Sequence, residues 1–282
     1  MKLLVFADLH LDTTFRWLGN NLQGARKLRN SLRTTLQGIL DLAREEQVDA
    51  ILCAGDLYEQ DHFSPDTRRF VEKAFREVEP IPLYLAPGNH DWLGPSSLYA
   101  TASWSPNVKI FEEEKFQPVE LAEGLNLWGY AHCGPAQFAN PLQNFKVDRG
   151  GVNLALFHGS ESRIAIELTY QKNQQGHFDA DDIRRAGFDH AFVGHYHNAI
   201  DEPLFTYPGN PHPLEFGEDG TGGPVVVKID SDGTLERRRV RVAEAVLFDL
   251  QINVSEAETS QDICDLFVAK VEGRTGFARV WL

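Results

Sequence analysis

The sequence predicts an α/β protein with two mixed β-sheets packed together, helices on the outside, and the start of a small α+β cap unit at the C-terminal end. In the first hundred residues apolar runs alternate with helical segments, which is typical of an α/β layer fold. From residue 108 to 243 strand-like runs predominate, and one further helix is indicated at 180–186. The scarcity of crossing helices in this part favours a second sheet packed on the first.

Two helices are predicted in the first half of the chain. From 28 to 43, Leu, Ile and Ala recur at helical spacing among Arg, Gln and Glu, as in an amphipathic helix. The second begins at Ser64-Pro65, because serine can cap a first turn in which proline is tolerated, and it continues to Val78. Strands are predicted at 3–7, 51–54, 82–86, 108–111, 125–130, 152–157, 191–193, 204–207, 225–229 and 235–242.

The C-terminal stretch has its own β-α-β pattern. Residues 247–254 alternate as a strand, 260–271 place apolar side chains on one helical face, and 278–282 begin another strand. A unit this small cannot bury its own apolar face, since below about 40 residues folding usually needs help. It either docks on the main domain or continues beyond this chain. We divide the chain into a main domain, 1–243, and a cap-like segment, 244–282, and expect the rest of the cap to lie outside it.

Composition and charge narrow the range of functions. Of the 282 residues, 42% are hydrophobic and 24% charged, which is ordinary for a globular protein and argues against disorder. The formal net charge is -14, the opposite of the broad basic surface of a protein that holds nucleic acid through its phosphates. Any contact with nucleic acid is therefore expected to be local or to depend on a partner.

The sequence also predicts where the protein resides. Cys53, Cys133 and Cys264 are widely spaced and form no Cys-x-x-Cys pair, which indicates reduced thiols. Asp8 and His10 interrupt the apolar N-terminal stretch, so no signal peptide is indicated. No apolar run approaches the roughly 18 residues of a membrane span. We expect a cytoplasmic protein that makes no membrane contact.

Side chains suited to metal binding occur in five short clusters, each after an apolar run. The clusters are Asp8-Leu9-His10, Gly55-Asp56, Gly88-Asn89-His90-Asp91, His158-Gly159 and Gly194-His195-Tyr196-His197. Because ligands gather beyond the carboxyl ends of strands in open α/β sheets, we expect all five clusters to border one crevice. In each of the first and last clusters, the two metal-binding side chains are two residues apart and leave the strand end on the same face.

Together the clusters supply the carboxylate, amide and imidazole groups that two adjacent divalent cations need. Each cluster alone has a simpler explanation: an Asp-x-His pair arises by chance, Gly-Asp marks turns, and a lone histidine is usually a satisfied core residue. Five such explanations would have to hold at once, so we interpret the chain as a two-metal enzyme. Without a thiolate among the ligands, borderline-hard divalent ions are favoured.

The order and spacing of the clusters resemble the calcineurin-like metallophosphoesterase superfamily over about residues 1–216. Three stretches are similar to the SbcD-type DNA repair exonucleases: Ala7-Asp8-Leu9-His10-Leu11-Asp12, Gly55-Asp56-Leu57-Tyr58 and Tyr207-Pro208-Gly209-Asn210-Pro211. The resemblance implies a four-layer sandwich in which two sheets lie between helices. It also implies two divalent ions, with Mn²⁺ expected first and Mg²⁺, Fe²⁺ or Zn²⁺ as alternatives.

The same resemblance implies a role for each cluster residue. One metal would be held by Asp8, His10, Asp56 and His197, and the other by Asp56, Asn89, His158 and His195. His90 would face the scissile phosphate, where it would protonate the leaving oxygen or stabilise its charge. Asp91 would orient His90, as carboxylates near such sites often do for their neighbours.

Other residues have weaker signals. His62 follows Asp56 in a loop that should border the crevice, and His212 follows the Tyr-Pro-Gly-Asn stretch, so both are predicted to contact substrate. The aromatic stretch 92–104 either packs against a neighbouring sheet or stacks on bases. The arginines within 237–241 form either a solvated strand face or a phosphate contact.

Three classes of function remain open. The first is an SbcD-like nuclease that cleaves phosphodiester bonds in DNA as an exonuclease or endonuclease; the resemblance adds a coiled-coil ATPase partner and a homodimer formed through the two predicted helices of the first half. The second is a phosphoesterase acting on a small molecule or a phosphoprotein, because the same site can hydrolyse many esters. The third is a non-catalytic scaffold, which the presence of every ligand position and of His90 disfavours.

Overall fold

The secondary structure is taken from a computed structural model, which describes residues 1–136, 139–167, 175–218, 220–230, 232–243, 247–273 and 276–281, with the backbone alone at 165–167. The strands are β1 (Lys2–Phe6), β2 (Ala50–Cys53), β3 (Leu83–Leu85), β4 (Val108–Ile110), β5 (Gln117–Ala122), β6 (Leu125–Gly129), β7 (Val152–His158), β8 (His190–Gly194), β9 (Ile200–Asp201), β10 (Phe205–Tyr207), β11 (Val225–Ile229), β12 (Leu235–Arg239), β13 (Leu247–Gln251) and β14 (Phe277–Trp281). The helices are α1 (Leu22–Glu45), α2 (Pro65–Glu77), α3 (Leu98–Thr101), α4 (Ser162–Glu167), α5 (Ala180–Ala186) and α6 (Ser260–Val271), and a 3₁₀ turn spans Arg16–Leu18.

Two mixed six-stranded sheets form the main body. The first has the order β12-β11-β1-β2-β3-β4, with β1 to β4 parallel and the other two strands antiparallel. The second has the order β5-β6-β7-β8-β10-β9, in which the four central strands are parallel and the two edge strands antiparallel. The predicted pair of mixed sheets is confirmed, and the parallel centre of each sheet puts several carboxyl ends at one edge.

Four layers result because the central strands are buried on both faces. In β1, Leu3 and Val5 join the core between the sheets, while Leu4 and Phe6 point to the opposite face and pack with the helices. On the far side of the second sheet, α5 contributes Ile183 to a separate aromatic-rich core. Strands buried in this way have continuous apolar sequences, which is the signal that predicted them.

The two long helices begin at capped residues. The Asn21 side chain accepts from the Gly24 amide at the start of α1, and the Ser64 hydroxyl accepts from the Thr67 amide at the start of α2. The helix predicted at 28–43 extends further at both ends. Two short helices, α3 and α4, were not predicted, because helices of one or two turns show too little periodicity in sequence. At the start of α4, the Glu161 carboxylate accepts hydrogen bonds from the backbone amides of Arg163 and Ile164.

The C-terminal β-α-β segment forms a small sheet of its own. Strands β13 and β14 pair in parallel across α6 and join neither main sheet. The segment contacts the main body through Phe277, whose ring lies 6.0 Å from that of Trp17, and through Arg279, which lies 5.0 Å from the ring of Phe216. The extra sheet agrees with the prediction. Residues 244–246, which follow the predicted boundary at 243/244, lie outside the described residues. Leu282 lies outside them as well. The domain division therefore stays a prediction.

No described helix has both the length and the apolar character needed to cross a membrane.

Replacing Phe192 by Ala should lower the free energy of unfolding by about 3–5 kcal/mol. This ring is fully buried in the core between the sheets, so its loss removes apolar burial and leaves a cavity. Leu22→Ala is the matched control, because its 78% exposed side chain should leave stability within about 0.5 kcal/mol. Urea unfolding followed by circular dichroism would measure the free energy of unfolding of both variants. An equal loss of stability in the two variants would contradict the assigned layers.

Candidate metal centre

The five clusters meet at the carboxyl ends of β1, β2, β3, β7 and β8. Backbone hydrogen bonds join the first two loops, since the Asp8 amide donates to Gly55 at 3.0 Å and the His10 amide to Asp56 at 2.9 Å. The two sheets are linked where the His195 amide donates to Asp8 Oδ1 at 2.9 Å. Candidate ligands from both sheets therefore lie close together.

Several of these residues have a left-handed backbone. The φ angles are 56° at Asp8, 51° at His10, 52° at Asp56 and 110° at His195. Non-glycine residues rarely adopt such values, which cost of order 1–3 kcal/mol each and cluster at functional sites. The sharp turns aim the side chains into the crevice. At Gly194 the loops are so close that a Cβ would lie 2.1 Å from the Ala54 carbonyl oxygen.

The first group of candidate ligands is Asp8, His10 and His197, whose ligand atoms lie within 4.8 Å of one another. Asp56 Oδ2 lies 3.7 Å from His10 Nε2. Among the described residues, Asp8 Oδ2 and His10 Nε2 are buried and have no hydrogen-bond partner. Buried polar atoms are normally satisfied, so an anionic oxygen and an imidazole nitrogen left unpaired side by side fit a bound cation.

The second group is built around Asp56. His158 Nε2 lies 3.2 Å from Asp56 Oδ2 and 3.1 Å from Asn89 Oδ1. The His195 ring is 5.2 Å from the His158 ring. The structure thus gathers all seven predicted ligands, with Asp56 between the two groups; their division between two ions stays a prediction. Carboxylate, amide and imidazole donors suit divalent ions of the harder kind.

The buried carboxylates and imidazoles shift each other's pKa values. Burial raises the pKa of Asp8, although His158 and His197 oppose it. Burial would also raise the pKa of Asp56, but the surrounding histidines, His158 first, hold it well below its usual range. Conversely, burial would lower the pKa of His158, yet Asp56 raises it to about 9. His158 therefore retains positive charge when no metal neutralises the carboxylates.

His90 is the exposed member of the site. Its side chain is 46% exposed, its amide donates to Asp56 Oδ1 at 2.8 Å, and its ring centroid lies 4.8 Å from that of His10. Although burial would lower the pKa of His90, Asp56 and Glu59 raise it to about 10. Its ligand atom also lies within 4.8 Å of those of His10 and Asp56. This position can deliver a proton or a positive charge to a substrate beside the metal ligands.

Asp91 does not have the predicted role. Its carboxylate is buried and accepts hydrogen bonds from the amides of Asp56, Leu57 and Gly88 and from the Tyr99 hydroxyl. Burial and the nearby Asp56 raise its pKa to about 6. The hydrogen-bond partner of the His90 ring is Glu59, at 3.0 Å. We therefore correct the assignment: Asp91 fixes the loop that carries Asp56, whereas Glu59 orients His90.

Two further carboxylates were missed in the sequence. Glu59 lies 2.8 Å from His10 Nδ1 as well as contacting His90, and the histidines hold its pKa at about 2 against the effect of burial. Glu218 lies 2.8 Å from His197 Nδ1. Glu59 could have been suspected from its place three residues after Asp56. Glu218 has no comparable signal, because its loop approaches the site only in the folded chain.

The two predicted substrate contacts differ in position. His62 is exposed after the Asp56 loop, and its contact with substrate stays a prediction. His212 is fully buried, with Nε2 at 2.8 Å from Ser31 Oγ and Nδ1 at 2.9 Å from the Pro213 carbonyl. Both ring nitrogens are occupied inside the protein, so the prediction for His212 is wrong.

The arginine run and the aromatic stretch have structural explanations. Arg238 pairs with Glu46 at 2.6 Å, and Arg239 pairs with Asp201 at 2.6 Å, so these guanidinium groups are engaged within the chain. In the aromatic stretch, Tyr99 is buried and the Trp104 ring stacks on Phe75 at 5.9 Å. This arrangement favours packing over base stacking.

Metal binding should release protons and become tighter as pH rises from about 6 to 9, because only neutral imidazole can ligate a metal. The raised pKa of His158, about 9, means that a proton competes with the metal until pH exceeds that value. His195 should release none, since burial lowers its pKa. Calorimetric Mn²⁺ titrations in buffers of different ionisation enthalpy would count the protons; an affinity independent of pH would contradict this account.

Comparison with known proteins shows the family. The model of the calcineurin-like phosphoesterase family matches residues 1–199. A Bacillus subtilis (strain 168) protein described as the uncharacterized metallophosphoesterase YhaO is 26% identical over 269 residues, covering 89% of this chain and 63% of that protein, so the chain spans less than two thirds of that relative. The crystal structure of TT1561 from Thermus thermophilus shares the fold, with a TM-score of 0.50, 17% identity, and coverage of 85% of this chain and 99% of that one. Purple acid phosphatase PPD1 from yellow lupin aligns with a TM-score of 0.45 and 15% identity over 85% of this chain and 51% of its own. Since the family model covers most of the chain, this protein belongs to the calcineurin-like phosphoesterase family.

Proposed function

We propose that the protein is a two-metal phosphodiesterase that cleaves DNA in the manner of the SbcD-type repair exonucleases. Family membership gives the coarser activity, hydrolysis of a phosphoester. The observation that carries the finer proposal is the exposed His90, which lies beside buried and partly buried candidate ligands and can approach a phosphate within an extended backbone. A phosphodiester inside a polymer is flanked by chain in both directions, so the site must be open to the backbone from the side.

The ligands and His90 divide the chemical work. Asp8, His10, Asp56 and His197 would hold one Mn²⁺, and Asp56, Asn89, His158 and His195 the other. When bound, the ions would neutralise phosphoryl oxygens and lower the pKa of a water molecule. His90 has its Nδ1 on Glu59, so Nε2 is the ring nitrogen available to the substrate. Against the effect of burial, Asp56 and Glu59 raise the pKa of His90 in the metal-free chain. With metals bound to Asp56, the Glu59 carboxylate would still favour the protonated ring, which could protonate the leaving oxygen or stabilise its charge.

An open crevice supports a diester substrate. The connection from β8 to β10 consists of residues 195–204 and contains only the two-residue strand β9. A connection this short leaves no room for an inserted lid on that side. A polymer could then enter without being enclosed, whereas enzymes for small ligands usually bury most of the ligand surface.

Cations near the start of α1 also support a DNA substrate. Arg16, Arg26, Lys27 and Arg29 form no ion pair with any described carboxylate, in a chain whose net charge is -14. A helix that follows β1 begins at the carboxyl edge of the sheet, where the ligands lie. The preceding turn is tied to the site, because Trp17 donates to the Leu214 carbonyl at 2.9 Å and the Leu214 amide to Glu218 at 2.6 Å. These cations suit phosphates that extend away from the metals.

Replacing His90 by Ala should leave metal binding intact and lower the hydrolysis rate by about 10²- to 10⁴-fold, the usual contribution of one positioned proton donor. Asp56→Ala is the contrasting variant, because it removes the shared ligand and should abolish both the metal pair and activity. Elemental analysis after Mn²⁺ loading, combined with rates, separates the two. Loss of metal from the His90 variant would contradict its assignment.

The substrate is tested by comparing labelled linear DNA, bis-p-nitrophenyl phosphate and p-nitrophenyl phosphate in Mn²⁺. We expect both diesters to be cleaved faster than the monoester, with DNA cleavage that declines steeply with salt. Arg26→Glu should weaken DNA cleavage and reduce its salt dependence, while Lys109→Glu, an exposed change on β4, should not. Efficient monoester hydrolysis without DNA cleavage would favour the second candidate.

That second candidate is a phosphoesterase for a small molecule or a phosphoprotein. The net charge of -14 favours it, since an acidic surface repels a long polyanion everywhere except near the cations.

For the nuclease, the resemblance to SbcD-type enzymes adds three further proposals: a coiled-coil ATPase partner, a homodimer formed through α1 and α2, and a cytoplasmic location. A partner that supplies a basic surface would offset the repulsion between this acidic chain and DNA.

A further inference from the structure

Glu59 contacts a candidate metal ligand and the candidate proton donor at the same time. Its Oε1 lies 2.8 Å from His10 Nδ1, and its Oε2 lies 3.0 Å from His90 Nδ1. The two rings meet edge to face, with centroids 4.8 Å apart. The carboxylate is only 17% exposed, so water competes weakly for these hydrogen bonds.

The backbone around Glu59 holds this carboxylate in place. The Glu59 amide donates to the Leu11 carbonyl at 2.9 Å, next to the metal-binding turn at His10. The following amide, Gln60, donates to the His90 carbonyl at 2.8 Å. The loop is therefore fixed to the backbone of both clusters, and the side chain between them needs little ordering to reach both rings.

The chemistry of a carboxylate determines the state of both histidines. An ionised carboxylate accepts hydrogen bonds and donates none, so Nδ1 of His10 and Nδ1 of His90 must each carry a hydrogen. In His10 this leaves the Nε2 lone pair, which is buried, without a partner among the described residues, and 3.7 Å from Asp56 Oδ2. In His90 it leaves Nε2 for the substrate. One side chain thus orients two rings with different tasks.

We propose that Glu59 is a positioning residue that keeps a hydrogen on Nδ1 of both His10 and His90 and fixes the orientation of the two rings, so that metal affinity and proton donation depend on the same carboxylate. The part concerning proton donation rests on the proposed function. The part concerning metal affinity rests on the ligand cluster alone.

Glu218 provides a comparison within the same site. It lies 2.8 Å from His197 Nδ1, while its other oxygen accepts from Asn210 and from the Leu214 amide. It therefore orients a metal ligand but makes no contact with His90. Loss of Glu218 should weaken metal binding without changing the proton donor, whereas loss of Glu59 should affect both.

Glu59→Gln is the informative substitution. A glutamine side chain has one acceptor oxygen and an NH₂ group that only donates, so it can accept from one of the two Nδ1–H groups and must oppose the other. Glu59→Asp is the second variant; it keeps the charge but is too short to reach both rings. Glu123→Gln, an exposed change in the turn after β5, is the matched control. Circular dichroism would verify that each variant folds.

Three measurements test the proposal. Calorimetric Zn²⁺ affinity should fall roughly 10- to 100-fold in Glu59→Gln and in Glu218→Gln, as is usual when a partner of a metal-bound histidine is lost. Nitrogen-15 NMR of the Zn²⁺-bound protein should show Nδ1–H on both rings in the wild type and a shifted or lost Nδ1–H signal at one ring in Glu59→Gln. At saturating Mn²⁺, hydrolysis of bis-p-nitrophenyl phosphate should stay at least about tenfold low in Glu59→Gln but recover in Glu218→Gln.

A double-mutant comparison isolates the contact with His90. In a His90→Ala background, Glu59→Gln should lower the saturated rate no further, since the two residues act in one step. Unchanged Zn²⁺ affinity, unchanged Nδ1–H signals, or full recovery of the rate with metal would each overturn the joint role of Glu59. If the wild type cleaves no phosphoester, the proposed function fails, and Zn²⁺ affinity and the Nδ1–H signals still decide the role of Glu59 at His10.

Discussion

The burial of Asp8 and Asp56 at the carboxyl edge of the two sheets is the constraint on which the rest of the site depends. A carboxylate removed from water needs compensating charge and hydrogen bonds, because burial of an unpaired ion is very costly. Each accepts from a backbone amide, Asp8 from His195 and Asp56 from His90. Amides do not neutralise charge, so protonated imidazoles, His158 among them, do so in the absence of metal. Two divalent ions in their place would neutralise the carboxylates and release those protons.

The sandwich gives these carboxylates their surroundings. Each sheet has a parallel centre, and the carboxyl ends of both centres lie at the same edge. Left-handed turns follow the strands there, and the apolar cores on both sides of each sheet offset their local cost. Most of the candidate ligands therefore lie in turns directly after the strands, where backbone hydrogen bonds between the turns restrict their positions.

Outside the ligands lies a ring of acidic side chains with separate tasks. Glu218 orients His197, Asp91 holds the amides of the Asp56 loop, and Glu59 connects His10 with His90. The loop that carries Glu218 also carries Phe216, which the C-terminal segment contacts through Arg279. The acidic composition is thus partly explained by support for the centre.

The sequence alone determined the α/β class, the two sheets, the long helices and the seven candidate ligands, because buried strands have continuous apolar runs and their ends are marked by adjacent residues. It did not determine which side chains meet across loops. Neighbours in sequence suggested that Asp91 serves His90, but adjacent side chains diverge, and the tertiary structure assigns that contact to Glu59. It also buries His212, which the sequence placed near the crevice. Such contacts depend on how separate loops approach one another when the two sheets pack. A local sequence pattern gives no information on the distance between side chains of separate loops.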